Sequence, residues 1–385
     1  MTATPALDAL PPQLITLADH ALHARTRLDA GAWAYFSGGA ADEHTTRANP
    51  EAWSHWGLLP RVLRPVAGLH TGTQLLGRTL AHPVLLAPVA YQRMAHADGE
   101  VASACAAGAL GAGMVLSSLS STPVEAVAAA MGSGPEVPPL WFQLYWQADR
   151  AHTLALVQRA QAAGCEALVL TVDAPCHGVR DRERRAGFAL PPGVHAVHLP
   201  PHHRDNTANS PGKRSLAPLL AQAPTWADVQ WLLGATKLPV ILKGVLHPQD
   251  AAEAAALGVA AVIVSNHGGR VLDTTPPTAY MLPRLADAVQ GRIPLLVDGG
   301  IRRGTDVLKA IALGATAVLL GRPVVYGLAN AGAAGVAHVL RLLLDELHAA
   351  MALTGCASLA DANPGLLHPL QAGLVVPAPF RHPSI

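Results

Sequence analysis

Eight short apolar runs recur along the chain, separated by helical segments, and this repeat constrains the fold more than any other feature. Runs that are apolar without alternation are typical of strands buried on both faces, as in a parallel sheet covered by helices. The runs cover Val84–Ala87, Met114–Leu116, Leu140–Leu144, Ala167–Val172, Pro239–Leu242, Ala261–Val264, Pro294–Val297 and Ala317–Leu320.

The segments between these runs are rich in Ala and Leu and have helical periodicity, as in Glu100–Leu110 and Pro248–Leu257. Eight strand-then-helix units with no obvious sheet terminus predict an α/β fold, a closed (β/α)8 TIM barrel over about residues 84–354. An open, doubly wound sheet is the competing architecture. We expect an N-terminal helical segment within residues 12–60, a closing helix over Gly332–Thr354, and a single domain over residues 1–385.

The segment 187–224, rich in Pro, His, Asn and Ser, interrupts this repeat after the fourth predicted strand. Connections of this length are unusual in compact domains and often act as lids. Its histidines suggest a metal tract, but the segment contains no Cys and no complete ligand set. We therefore expect a solvated lid loop and no metal site. The histidines are His195, His198, His202 and His203.

Composition argues against several classes of protein. The formal net charge is +1, and no Lys/Arg run supplies the clustered basic face that nucleic-acid binding needs. No apolar stretch reaches the roughly 18 uninterrupted residues of a membrane span. Four cysteines form no CxxC pair, and the N-terminus shows no secretory pattern. We expect a cytoplasmic protein in a reducing compartment, without nucleic-acid or membrane partners.

Polar residues follow directly after the predicted strands, where a TIM barrel gathers its catalytic groups. The strand bodies carry almost no polar groups. Polar side chains that converge on one end of a barrel therefore predict a ligand or active site there. After the third to seventh strands these residues are Tyr145, Asp173, Lys243, His267 and Asp298.

The ends of the last two strands predict a phosphate site. Gly299, Gly300 and Gly321 let backbone amides approach an anion, and Arg302 or Arg322 supplies a counter-charge. A helix predicted to begin near Thr305 adds its N-terminal dipole. The loops after strands 7 and 8 are the usual phosphate site of such barrels.

The cofactor that carries this phosphate is not predicted to be a nicotinamide dinucleotide. The Gly-rich segment 108–113 has the wrong spacing for a dinucleotide fingerprint, and it precedes a strand instead of following one. FMN and PLP both remain candidates, because Lys243 could stabilise an anionic flavin or form a Schiff base.

His267 lies in a Gly-rich turn, where a structural histidine is the simpler interpretation. Asp173, however, ends a barrel strand nearby and can orient the imidazole and stabilise its protonated form, as a general base requires. Arg180 and Arg270 can grip a carboxylate. A base, a carboxylate clamp and a flavin together indicate oxidation of a carbon that carries both a hydroxyl and a carboxylate.

Five motifs carry a family resemblance that extends from about Trp33 to Thr354. The chain resembles the FMN-dependent 2-hydroxy acid oxidase/dehydrogenase family, which includes glycolate, lactate and hydroxymandelate oxidases. SNHGGR followed by DGGIRRG is its most specific signature. The motifs are FQLY at 142–145, TVD at 171–173, SNHGGR at 265–270, DGGIRRGTDVL at 298–308 and GRP at 321–323.

The resemblance implies a role for each site residue. His267 with Asp173 would take the substrate hydroxyl proton, Tyr145 would face that hydroxyl, and Lys243 would stabilise negative charge on the flavin. Substrate carboxylate binding falls to Arg180, Arg270 and Tyr35. FMN would be lined by Pro88, Val89, Ala90, Ser117, Gln143, Thr171 and Ser265, with Asp298, Gly299, Gly300, Ile301, Arg302, Gly321 and Arg322 at its ribityl and phosphate end.

The resemblance also implies O2 as electron acceptor, with H2O2 as product, and a homotetramer or octamer. Leu119 departs from the short-chain glycolate oxidases, which carry Trp there, so we expect a wider pocket that accepts longer or aromatic 2-hydroxy acids. Three alternatives stay open: a flavin-linked dehydrogenase with another acceptor, a different FMN barrel enzyme, and a non-catalytic metabolite-binding barrel. The polar loop 187–224 and the lack of a fused haem domain favour the oxidase.

Overall fold

A closed barrel of eight parallel strands forms the centre of the computed structural model, which describes residues 9–147, 149–199 and 220–377. The barrel strands are β4 (Val84–Leu86), β5 (Gly113–Ser117), β6 (Leu140–Tyr145), β7 (Ala167–Thr171), β8 (Val240–Val245), β9 (Ala261–Val264), β10 (Leu295–Val297) and β11 (Ala317–Leu320). They follow one another around the barrel in chain order, and β11 pairs with β4 to close it. Two small antiparallel pairs flank it, formed by β1 (Trp56–Leu58) with β12 (Leu367–Pro369) and β2 (Thr73–Leu75) with β3 (Arg78–Leu80).

Helices surround the barrel and extend it at the N-terminus. They are α1 (Leu17–Arg27), α2 (Ala30–Ser37), α3 (His44–Ser54), α4 (Gly99–Leu110), α5 (Val124–Met131), α6 (Arg150–Ala162), α7 (Asp181–Arg185), α8 (Trp226–Ala235), α9 (Pro248–Leu257), α10 (Thr278–Val289), α11 (Gly304–Ala312) and α12 (Arg322–Thr354). Local signals set several boundaries. In α9, Pro248 occupies the first turn and Gly258 ends the helix in the left-handed conformation.

Side chains of each barrel strand alternate between two cores. Leu85, Val169 and Ile241 point into the barrel, whereas their neighbours such as Leu86 and Leu168 pack against the helices. Both sets are fully buried, because β-strand geometry sends successive side chains to opposite faces and both faces are covered. This double burial explains why the sequence shows continuous apolar runs.

The predicted barrel is confirmed, and the open sheet is excluded. The predicted strands match to within a few residues, and α1 to α3 confirm the N-terminal helical segment. The single-domain assignment over the whole chain stays a prediction. The closing helix predicted over Gly332–Thr354 begins earlier, at Arg322, because a helical segment precedes a break at Ala331 and Gly332.

Part of segment 187–224 is packed, which corrects the expectation of a solvated loop. His198 is buried, accepts a hydrogen bond from the Val124 amide at 3.0 Å and meets the Phe142 ring edge-on. His195 is half-buried. His202 and His203, and with them most of the predicted lid, lie outside the described residues.

Helix α12 is long and apolar enough to cross a membrane by length and composition alone. However, 72% of its most apolar window is buried within the protein. A helix that is apolar all round is also what the core of a large protein requires, so α12 is accounted for as a core helix.

The break in α12 brings two glycines into contact, which makes Gly335 sensitive to substitution. An added Cβ at Gly335 would overlap the carbonyl oxygen of Gly327. We expect Gly335→Ala to destabilise the fold by about 1–3 kcal/mol through overpacking. Gly234→Ala is the control, because Gly234 is an exposed helical residue with open space around it and the change should stabilise by about 0.5–1 kcal/mol. Thermal unfolding midpoints should move in opposite directions.

Candidate active site

A cavity of about 930 Å³ opens at the carboxyl ends of the barrel strands. Every barrel strand, or the loop directly after it, contributes to its wall, as expected for the functional face of a TIM barrel. Of the predicted site residues, all but Asp173 and Ser265 line the cavity. Those two lie behind the wall and bind residues that do line it.

His267 and Asp173 form the predicted imidazole–carboxylate pair. His267 Nδ1 lies 3.0 Å from Asp173 Oδ1, and the His267 backbone amide donates to Ser265 Oγ at 3.0 Å. Burial alone would raise the pKa of Asp173, but His267 and Lys243 hold it below its usual value. An ionised Asp173 accepts from Nδ1–H, which leaves Nε2 of a neutral His267 as the proton acceptor.

The backbone places this pair under constraint. His267 has a φ of 56°, which a non-glycine residue rarely adopts and which tends to occur at functional sites. Gly244, at the end of β8, has a φ of 105°, and a Cβ there would overlap the Asp173 carboxyl group. The glycine after Lys243 is therefore required for Asp173 to reach its position.

Lys243 is buried and doubly held. Its Nζ lies 2.9 Å from Asp298 Oδ2 and donates to Ser265 Oγ at 2.9 Å. Burial alone would lower the pKa of Lys243, but Asp298 and Asp173 raise it above its usual value, so the side chain is a fixed cation. Ser265 thus links the Lys243 cation to the backbone of His267.

Arg180 and Arg270 lie side by side in the wall, as predicted. Arg180 Nε donates to the Arg270 carbonyl at 3.3 Å, and the Arg270 guanidinium lies 4.9 Å from the centre of the Tyr35 ring. Burial and the neighbouring Arg180 charge lower the pKa of Arg270 to about 10. At neutral pH both guanidiniums are charged, so they form a cationic subsite.

Tyr145 lies beside the imidazole of His267 in the cavity wall. Its hydroxyl oxygen is 3.5 Å from His267 Nε2. Burial, together with the nearby Asp173 charge, raises the pKa of Tyr145 well above its usual range. The phenol therefore stays protonated and can donate a hydrogen bond to a bound oxygen.

The residues predicted to hold a phosphate line the cavity, but one element of that prediction is wrong. The helix predicted near Thr305 begins at Gly304, and the amides at its start are already bound. Arg302 and Arg303 donate to Asp306 Oδ2, each at 3.0 Å, and Gly304 donates to Glu346 Oε2 at 2.9 Å. The helix that can serve an anion here is α12, which begins directly after Gly321 on the cavity wall.

The three glycines of the predicted phosphate site, Gly299, Gly300 and Gly321, are required for different reasons. Gly299 and Gly300 have φ values of 97° and 90°, and a Cβ at Gly300 would overlap the backbone of Asn49. Protein packing therefore already requires them. At Gly321 an added Cβ meets only Ala87, at 3.9 Å, so the protein leaves space on that side.

Arg322 also has a structural role. It donates to the carbonyl oxygens of Phe36 at 3.1 Å, Gly268 at 2.8 Å and Gly38 at 2.8 Å. These bonds tie the end of α2 to the turn that holds His267. The Arg322 charge nevertheless remains at the cavity wall beside Arg302.

The hydrogen-bonding groups and charges that line the cavity fit FMN. Asp298 Oδ1 is buried without a hydrogen-bond partner among the described residues, and a buried acceptor of this kind calls for a donor such as a ribityl hydroxyl. Gln143 is anchored by Thr171 at 2.9 Å and Ser117 at 3.2 Å, which forms a polar wall for the edge of a planar ring. The Lys243 cation suits an anionic ring, and the charges of Arg302 and Arg322 suit a phosphate.

The wall residues that sequence reasoning did not assign to the site include one carboxylate and two aromatic side chains. Glu183 lies between Arg180 and Arg270, Phe188 stacks on Tyr35 with ring centres 4.9 Å apart, and Tyr91 lies 6.0 Å from Tyr35. The i,i+3 spacing of Arg180 and Glu183 was a usable signal for an ion pair. Tyr91 had a positional signal, because it lies just past the first predicted strand, but its contact with Tyr35 did not. Phe188 carried no signal, because only the fold brings it to Tyr35.

Comparisons with known proteins agree with this geometry. The family model described as FMN-dependent dehydrogenase matches residues 24–369. An L-lactate oxidase from Alicycliphilus denitrificans is 48% identical over 364 residues, which cover 94% of this chain and 98% of the relative. Mouse 2-hydroxyacid oxidase 1 is 42% identical, covering 90% and 94%.

Solved structures give the same result. A crystal structure of mandelate oxidase superposes with a TM-score of 0.82 at 43% identity, covering 92% of this chain and 98% of the other. Family model, relatives and fold agree over nearly the whole length. The chain therefore belongs to the FMN-dependent dehydrogenase family, and its cofactor is FMN.

Proposed function

We propose that this protein oxidises an L-2-hydroxy acid to the 2-oxo acid and passes the two electrons and two protons to O2, giving H2O2. The carrying observation is that one cavity brings together the His267–Asp173 pair and the guanidiniums of Arg180 and Arg270. Relatives named as L-lactate oxidase, 2-hydroxyacid oxidase and glycolate oxidase support this reaction class.

The charged and polar residues of the cavity have separate roles in the proposed reaction. Arg180 and Arg270 bind the substrate carboxylate, which fixes the hydroxyl-bearing carbon. His267 Nε2 accepts the hydroxyl proton, while Asp173 holds Nδ1–H and stabilises the imidazolium that forms. Tyr145 donates a hydrogen bond to the substrate oxygen. Bound FMN supplies the two-electron acceptor, and Lys243 provides a fixed positive charge for it.

The alternatives have less support from this site. A different FMN barrel enzyme has no use for a base in the same cavity as two carboxylate-binding arginines. A non-catalytic binding barrel would not need a strained histidine paired with a largely buried carboxylate. PLP chemistry is set aside because the family cofactor is FMN. A flavin-linked dehydrogenase remains the second candidate, and peroxide release distinguishes it from an oxidase.

We propose longer or aromatic 2-hydroxy acids as substrates. Tyr35, Phe188 and Tyr91 form an aromatic wall in the cavity, and the Tyr91 amide donates to the Leu119 carbonyl at 3.2 Å. Leu119 therefore lies beside this wall, where an indole would fill the space. Relatives named for lactate, glycolate and mandelate differ by only a few per cent in identity, so the wall is the better guide.

We also propose a cytoplasmic homotetramer. All four cysteines are free thiols, which fits a reducing compartment. Leu59, Val62 and Leu63 are exposed by 55%, 79% and 100%, and a neighbouring group of exposed apolar residues of this kind suits self-association. Light scattering of the FMN-loaded protein would give the subunit number.

We expect His267→Ala to keep FMN but to slow flavin reduction by a 2-hydroxy acid by about 10²–10⁴-fold, because the general base is lost. His177→Ala is the control, since His177 lines the same cavity without a carboxylate partner among the described residues. Anaerobic stopped-flow absorbance measures both rates. Reduction of the His267 variant at the wild-type rate would refute the assignment of the base.

We expect Leu119→Trp to shift substrate preference from mandelate towards glycolate by about 10-fold or more, because an indole removes space worth about 1–3 kcal/mol of binding. The ratio of kcat/KM for the two acids measures this, with Leu119→Met as a volume-conserving control. An unchanged ratio would show that Leu119 does not define the pocket, and would leave the reaction class untouched.

A further inference from the structure

Glu183 is a buried carboxylate in the cavity wall to which the reaction described above assigns no role. It lies on α7, three residues after Arg180, and is 4% exposed. Its Oε1 accepts hydrogen bonds from Arg180 Nη1 at 3.2 Å and from Arg270 Nη2 at 3.4 Å. One carboxylate oxygen therefore bridges the two guanidiniums that bind the substrate.

The bridge fixes how the arginines face the cavity. Arg270 Nη1 is held by the carbonyl oxygens of Tyr35 and Gly38, and Arg180 Nε is held by the Arg270 carbonyl. With Glu183 bound to one nitrogen of each, both planar groups are locked. Arg180 Nη2 makes no hydrogen bond to the part of the chain that the structure describes, and it is left for a ligand.

The bridge also sets the charge of this subsite. Two guanidiniums and one carboxylate leave a net charge of +1, which one substrate carboxylate neutralises. Of the other nearby charges, Asp173 binds His267 and Asp298 binds Lys243. Arg322, whose charge also acts on Arg270, is bound to backbone carbonyl oxygens and is the same in every variant compared below. Without Glu183 two like charges would share a buried wall, and a second anionic group would be attracted there.

We propose that Glu183 is a positioning and specificity-determining residue that holds Arg180 and Arg270 at a net charge of +1, so that the site selects monoanionic over dianionic 2-hydroxy acids. This inference rests on the proposed function for the identity of the ligand. Its test uses binding to the oxidised enzyme, so it does not depend on turnover.

The experiment titrates FMN-loaded protein with pyruvate, a monoanion, and with oxalate, a dianion at pH 7.5, and follows the flavin absorbance. Glu183→Gln should shift the ratio of the two dissociation constants towards oxalate by about tenfold or more, because one negative charge is removed a few ångströms away. Glu183→Asp, which keeps the charge, should keep the wild-type ratio even if both ligands bind more weakly. An unchanged ratio in Glu183→Gln would overturn the proposal.

Asp181→Asn is the matched control. Asp181 lies on the same helix and pairs with Arg184 at 3.3 Å, away from the cavity wall, so its loss should leave the ratio unchanged. A shift as large as that of Glu183→Gln would show that the effect is not specific to the bridge and would also overturn the proposal.

A background variant covers the case in which Glu183→Gln fails to retain flavin because the arginines repel. Arg180→Gln relieves that repulsion, so Arg180→Gln is compared with Arg180→Gln combined with Glu183→Gln. The added change should again move the ratio towards oxalate by about tenfold. An equal ratio of dissociation constants in these two variants would contradict the proposal that the charge of Glu183 sets the selectivity. If no 2-hydroxy acid reduces the flavin of the wild-type protein, the proposed function is wrong. The measured preference between pyruvate and oxalate would still test the role of Glu183.

Discussion

Closure of the parallel barrel is the constraint on which the rest of the structure depends. Eight parallel strands in one closed sheet must bring their eight carboxyl ends to the same face. Residues as distant in sequence as Ser117 and Arg322 therefore reach one cavity. The polar side chains within the strands all lie in their carboxyl-terminal halves, so the chemistry is confined to that end of the barrel; they are Ser117, Gln143, Tyr145, Thr171 and Lys243.

Within that cavity, the cost of burying charge is met by pairing. Asp173 binds His267, Asp298 binds Lys243, and Glu183 bridges Arg180 with its neighbour Arg270. A buried charge without a partner is strongly unfavourable, whereas a paired one can be held in a fixed orientation. In the proposed reaction each pair has a separate role: one holds the base, one holds a cation for the flavin and one binds the substrate carboxylate.

Much of this could be predicted from the chain because the signals are local. Continuous apolar runs gave the strands from Val84 to Leu320, and the positions just past them gave His267, Lys243 and Asp173. Other parts could not be predicted. The start of α11 is closed to an anion because Asp306 and Glu346 bind its amides, and a helix dipole argument from sequence does not see those partners.

The sequence by itself determined the fold class, the family and the residue types at the strand ends, because strand burial and motif spacing are written in consecutive residues. Only the tertiary structure decided which distant groups meet. Glu183 reaches Arg270, 87 positions away, and Phe188 stacks on Tyr35 because packing of α7 against α2 brings them together. Contacts of this kind depend on the three-dimensional path of the chain, which no local pattern encodes.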